Sequence, residues 1–155
     1  MVDLADLHVS RKVVVAAPPE HVYDLIADVT RIGELSPVWK AAWWDEGSGP
    51  RVGGWFTGRN ESEQRGTWER HCEVIVADPG RAFGWIPNGR DEGAAEWMYR
   101  FQPVDGGTEV EESWRIVRII GRLNEFSDSQ FRVMTEQTVE GIEATLENLK
   151  AVVES

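Results

Sequence analysis

The sequence predicts an α+β domain, a curved antiparallel seven-stranded sheet wrapped on a long C-terminal helix. Three observations carry this. Between residues 38 and 118, six short segments alternate with turn signals, and the links are too short for parallel crossovers. From Asn124 to Val153, charged residues recur every three or four positions, which places them on one face of a helix. Ahead of both stands a valine-rich segment closed by Ala17-Pro18-Pro19-Glu20, where proline suits a first helical turn and the acid suits the helix dipole.

In chain order, His8 to Ala16 is the first strand, with Val9, Val13, Val14 and Val15 as its β-branched residues. Val22, Leu25, Ile26 and Val29 then recur at helical spacing, which predicts a helix over 19–28 and a short second one near 30–35, ended by Ser36-Pro37. Strands follow near 38–46, 52–60, 66–78, 81–87, 95–104 and 108–118, and Asp105-Gly106-Gly107 marks the last hairpin. The last helix carries Asp128, Arg132, Glu136, Glu140, Glu143, Glu147, Lys150 and Glu154 on one face. Leu123, Phe131, Met134, Thr138, Gly141, Thr145, Leu149 and Val152 occupy the other. The order is β-α-α-β6-α, without internal repeat or linker.

With 155 residues, 41% hydrophobic and 28% charged, residues 1–155 form a single domain with a genuine core. Sixteen basic against 27 acidic residues give a net charge of −11, with no basic run, so neither nucleic acid nor stable membrane association is expected. One cysteine, Cys72, excludes an internal disulfide, and acids stand near the N-terminus where a signal peptide needs bases; a cytoplasmic location is expected, as monomer or homodimer. His8, His21 and His71 lack ligand spacing, and Gly47 to Gly54 lacks a dinucleotide fingerprint, so no metal and no cofactor is expected. Eight tryptophans imply either a very aromatic core or a lined apolar cavity.

The buried face of the last helix is bulky at its ends and small in its middle: Thr138, Gly141, Thr145. A helical glycine costs about 1 kcal/mol relative to alanine, so something should approach closely there. Either a large sheet side chain fills the gap or a cavity occupies it. Strand alternation puts Trp97, Tyr99 and Phe101 inward, with Val110, Glu112, Trp114 and Ile116 on the next strand. In the 66–78 strand, Trp68, Arg70, Cys72, Val74 and Val76 share the inward face, and His71 points out. An inward Arg70 and an inward Glu112 should form a structural ion pair, reach solvent at strand ends, or orient a ligand in an aromatic pocket.

Val22-Tyr23-Asp24-Leu25-Ile26-Ala27-Asp28-Val29 after Ala17-Pro18-Pro19-Glu20 is similar to the START/birch-pollen-allergen-like (SRPBCC) superfamily, whose fold is the helix-grip fold. Ser36-Pro37-Val38-Trp39, Val52 to Asn60, Asp78 to Trp85 and Trp97 to Thr108 support the likeness, and within the superfamily the chain resembles bacterial polyketide cyclase/dehydrase-type members. The resemblance implies an apolar ligand held between sheet and last helix and no obligatory cofactor. The first expectation is therefore binding of a small hydrophobic or aromatic molecule, polyketide-, lipid- or isoprenoid-like. Phe56, Trp68, Trp97, Tyr99, Trp114, Met134, Thr138 and Thr145 would line the cavity, with Arg70 and Glu112 orienting the ligand. The alternative is a cyclase or dehydratase in which Glu112, its pKa raised by burial, accepts a proton and Arg70 or Tyr99 stabilises the developing enolate. A third reading is a non-enzymatic interaction or chaperone-like module with a filled core.

Overall fold

The computed structural model describes residues 2–155. The chain runs β1 (His8–Val15), α1 (Pro19–Ala27), a 3-10 helix (Val29–Glu34), β2 (Trp39–Trp44), β3 (Trp55–Ser62), β4 (Gly66–Asp78), β5 (Ala82–Pro87), β6 (Ala95–Val104), β7 (Gly107–Ile116) and α2 (Asp128–Glu154). All neighbouring strands are antiparallel, in the order β1-β7-β6-β5-β4-β3-β2. The chain leaves β1 at one edge, crosses through α1 and the 3-10 helix to the opposite edge, and meanders back until β7 pairs with β1. This is the helix-grip α+β fold expected above.

α2 begins at Asp128, four residues later than the charge pattern suggests, because a capping box starts it there. The Ser127 hydroxyl accepts from the Gln130 amide at 3.2 Å, and the Gln130 side chain accepts from the Ser127 amide at 2.8 Å. Leu123 is buried but sits in a preceding 3-10 turn, Gly121–Glu125, rather than on the helix. The charged stripe from Asp128 to Glu154 faces solvent.

The C-terminal half of α2 is the firmly seated half. Ile142, Leu146 and Leu149 are buried in the core, and full burial of each such side chain contributes roughly 1.5–3 kcal/mol. Around them, Asn148 Nδ2 donates to the Leu35 carbonyl at 2.7 Å and Lys150 Nζ to the Val14 carbonyl at 3.0 Å, while Glu154 accepts from the Ala16 amide at 2.9 Å.

The expected alternation in β4 holds through Val74 and then breaks. Val74 pairs with Trp85 but Val76 with Gly84, so Ile75 forms a bulge. Beyond it Ala77, opposite the fully buried Phe83, packs on the core in the place expected of Val76.

The tryptophans divide their duties. Trp44 packs on the core, Trp43 is partly exposed, and Trp55 stacks on His71 on the outer face at 4.4 Å. The remaining five face the interior space between sheet and α2. Trp39, on the edge strand β2, depends on Gly58 of β3: a Cβ at Gly58 would coincide with the Trp39 six-membered ring. That ring packs edge-on to Trp85 at 6.3 Å and against Phe56 at 6.1 Å. Gly58→Ala should therefore displace Trp39 and destabilise the protein by about 1–3 kcal/mol. Denaturant unfolding reads this directly, and an unchanged midpoint would contradict the packing described.

Candidate functional site: a polar-tipped aromatic cavity

A cavity of about 600 Å³ lies between the sheet and the N-terminal half of α2, within the size range of small-molecule sites. The tryptophans do not fill this space, which counts against the filled core of the third reading. Its sheet wall comes from cross-strand rows. Trp85, Trp97 and Trp114 pair successively across β5, β6 and β7. The adjoining row carries Phe83, Tyr99 and Glu112, and Trp85 stacks on Tyr99 at 5.8 Å. On the other side Asn60 of β3 pairs with Trp68 of β4, and Gly58 with Arg70. Alternate residues share a face, so these rows aim one set of side chains into one space.

The helix wall is Met134, Gln137, Thr138, Gly141 and Thr145. Gly141 does not admit a close neighbour, as the sequence suggested it should. A Cβ there would meet nothing within 4 Å, so the glycine widens the cavity instead. The Thr138 and Thr145 hydroxyls donate to the helix carbonyls of Met134 and Gly141, each at 2.8 Å. That back-bonding is usual for threonine inside a helix and occupies their donors.

Of the expected lining residues, Trp68, Arg70, Trp97, Tyr99, Glu112, Trp114, Met134, Thr138 and Thr145 border the cavity. Phe56 does not. It is fully buried behind the wall, edge-on to Trp85 at 5.8 Å and to Trp44 at 5.5 Å. The sequence reading missed Trp39, Trp85, Asn60, Arg65 and Arg122 as cavity residues. Asn60 could have been found from its register opposite Trp68. Arg65 and Arg122 lie in the β3–β4 turn and in the 3-10 turn before α2, where no periodicity speaks.

Four buried side-chain atoms lack a hydrogen-bond partner among the described residues: Asn60 Oδ1, Trp68 Nε1, Trp85 Nε1 and Glu112 Oε1. All four belong to residues that border the cavity. An unpaired buried polar group costs roughly 1–3 kcal/mol, so their convergence on one space marks where polar atoms of a guest or water belong.

Arg70 and Glu112 share the cavity but form no ion pair. One Glu112 oxygen is unpartnered, and no salt bridge joins the two side chains. Burial pushes the Glu112 carboxyl from the ordinary 4.5 up to about 8, and a hydrogen bond from Tyr99 offsets part of that rise. The carboxyl therefore keeps its proton at pH 7. Its cross-strand neighbour on β1, Arg11, instead turns outward to Glu143 at 4.0 Å. Tyr99 is raised well above its usual value, by burial first and then by Glu112. Arg70 is lowered, chiefly by burial, then by Arg65 and Arg122. Burial pushes the Cys72 thiol up, so it stays protonated and inert. His71 is on the outer face as expected, bonded to Asp45. Among the described residues no three His, Cys, Asp or Glu side chains converge as metal ligands, and no helix is long and apolar enough to cross a membrane.

The family described as "Polyketide cyclase / dehydrase and lipid transport" matches residues 6–154. The chain belongs to this family. The solution structure of a polyketide-cyclase-like protein from Corynebacterium glutamicum is 38% identical, covers 96% of this chain and 91% of its own, and superposes with a TM-score of 0.69. A START superfamily protein from Mycobacterium smegmatis shares the fold at 16% identity, with 95% of this chain and 97% of its own covered, TM-score 0.70. The di-domain ARO/CYC of the steffimycin biosynthetic pathway shares it at 12% identity over 96% of this chain and 50% of its own, TM-score 0.73. No curated protein matches the sequence significantly. For this family member the comparisons support hydrophobic-ligand binding or a cyclase role in general terms.

The Glu112 carboxyl also makes stability depend on pH. Its folded value lies above the unfolded one, so its contribution is intact below pH 4.5 and is lost as pH rises through about 8. Relative to Glu112→Gln, which has no such proton, the wild type should lose up to about 5 kcal/mol across that window. Denaturant unfolding of both proteins over a pH series measures this, and a pH-independent difference would contradict it.

Proposed function

We propose that the chain binds a small, largely apolar molecule, polyketide-, lipid- or isoprenoid-like, in the cavity between sheet and α2. The observation that carries this reading is the coincidence of an aromatic-walled space with all four unpartnered buried polar atoms. Apolar burial against tryptophan would supply affinity, and the few polar groups would fix orientation. Met134, flexible and polarisable, suits an adaptable wall.

A second reading follows from Glu112 and Tyr99, a proton-bearing carboxyl beside a phenol in a largely buried setting. A carboxyl that titrates near neutrality serves acid–base chemistry, and a cavity that holds a flexible chain in a bent form removes much of the barrier to ring closure. In that case the protonated Glu112 would give its proton to a carbonyl oxygen while its other oxygen takes the α-proton, so that the enol forms and the acid is restored; in the dehydration step it would protonate the departing hydroxyl, which leaves as water, and take the α-proton in return.

Gly141 tests the cavity with the least collateral damage, because its open side faces the space. Gly141→Ala should raise stability by up to about 1 kcal/mol through helix propensity alone. Gly141→Leu should weaken binding of an anilinonaphthalene sulfonate probe at least about tenfold while the melting temperature holds. Undiminished probe binding by the leucine variant would overturn the assignment. For the enzymatic reading, Glu112→Gln should abolish turnover of a linear polyketide mimic and keep its affinity; equal turnover would remove it.

A further inference from the structure

The cavity has a charge gradient that its aromatic walls conceal. Among the described residues its only cations are Arg65, Arg70 and Arg122, and its only carboxyl is Glu112. Arg65 and Arg122 are exposed at the rim, Arg70 is half-buried below them, and Glu112 is fully buried. None of the three arginines has a carboxylate within salt-bridge reach among the described residues; Arg51, Arg59, Arg81, Arg90, Arg118 and Arg132 share that state, so what sets the three apart is that they border one cavity. In a protein of net charge −11, three unneutralised guanidinium groups gathered at one opening run against the whole-molecule balance.

Aromatic neighbours hold two of them, Arg65 and Arg122, without consuming their N–H groups. Arg65 lies over the Trp68 ring at 4.0 Å, and Arg122 over Phe126 at 5.8 Å. Stacking fixes the plane of a guanidinium and leaves its edge free for a planar or tetrahedral oxyanion. The three are close enough to perturb one another: Arg70 is depressed by burial and then by both partners, and Arg65 by burial and then by Arg122. A cluster under mutual repulsion gains from an anion in its midst. Glu112 does not serve, since it is unpaired and protonated at neutral pH.

We propose that Arg65, Arg70 and Arg122 form a recognition site for the oxyanion end of an amphiphilic ligand, a carboxylate or phosphate whose apolar body lies along the tryptophan rows. This rests on the reading of the cavity as a ligand site and adds the charge and orientation of the guest. The acidic end sits at the opening, and the apolar end points inward to Tyr99 and Glu112. A neutral hydrocarbon or a cationic guest would be disfavoured.

Titrations with three probes of one chain length test it: dodecanoate, dodecyl phosphate and dodecanol, followed by intrinsic tryptophan fluorescence, with inorganic phosphate as a fourth. The two acids should bind at least about tenfold tighter than the alcohol, as charge-assisted hydrogen bonds to guanidinium predict. Arg70→Gln and Arg122→Gln should each lower the ratio of acid to alcohol affinity, and Arg70→Lys, which keeps the charge, should restore part of it. The preference should shrink with added salt. If acids and alcohol bind equally well, the oxyanion site is overturned and the cavity reading stands. If inorganic phosphate binds as tightly as dodecyl phosphate, the cluster is a simple anion site and the amphiphile proposal fails. If no probe binds, the cavity reading fails and this proposal with it.

Discussion

The contacts that seat the C-terminal half of α2 on β1 and on the Val29–Leu35 segment set the shape of the interior. Ile142, Leu146 and Leu149 are buried there, and hydrogen bonds from Asn148 and Lys150, with one accepted by Glu154, hold the helix in place. Between that seat and the buried Phe131 of its first turn, the helix borders the cavity rather than the packed core. The N-terminal half, with Met134, Thr138 and Gly141, therefore spans a space it does not fill. Small residues at this level of the helix and tryptophans across the sheet are two sides of that one geometric fact.

Everything polar in the cavity inherits its character from this arrangement. The space is deep enough to strip water from Glu112, so the carboxyl keeps its proton. It is open enough for Arg65 and Arg122 to remain hydrated at the rim. A neutral acid at depth and cations at the mouth need not pair, which is why Arg70 and Glu112 share a cavity without an ion pair. A single buried ion pair would have closed the space electrostatically and stabilised little, given the desolvation both charges suffer. The separation leaves two distinct kinds of polar contact for a guest, a donor inside and a cationic rim outside.

The outer surface shows different economics. Trp55 stacks on His71, Asp45 accepts from it, and the acidic stripe of α2 faces solvent. These are local satisfactions on a charged exterior, and none of them reaches the cavity.

The sequence by itself determined the element order, most of the strand faces and the solvent face of α2, because periods of two and of three to four are local properties of backbone geometry. It also singled out Glu112, Arg70 and Tyr99 as inward polar groups, since each stands in a strand whose alternation is unbroken up to that point. Alternation fails at Ile75, where a bulge hands the inward position from Val76 to Ala77, because a bulge is a property of a strand pair and leaves no mark in one strand's pattern. Only the tertiary structure decided that Phe56 lies behind the wall and that Gly141 opens a space. It alone brought Arg65 and Arg122, from two turns 57 residues apart, beside Arg70. Which side chains meet across a cavity depends on sheet curvature and on how one helix is seated, and both are set by contacts between residues far apart in the chain.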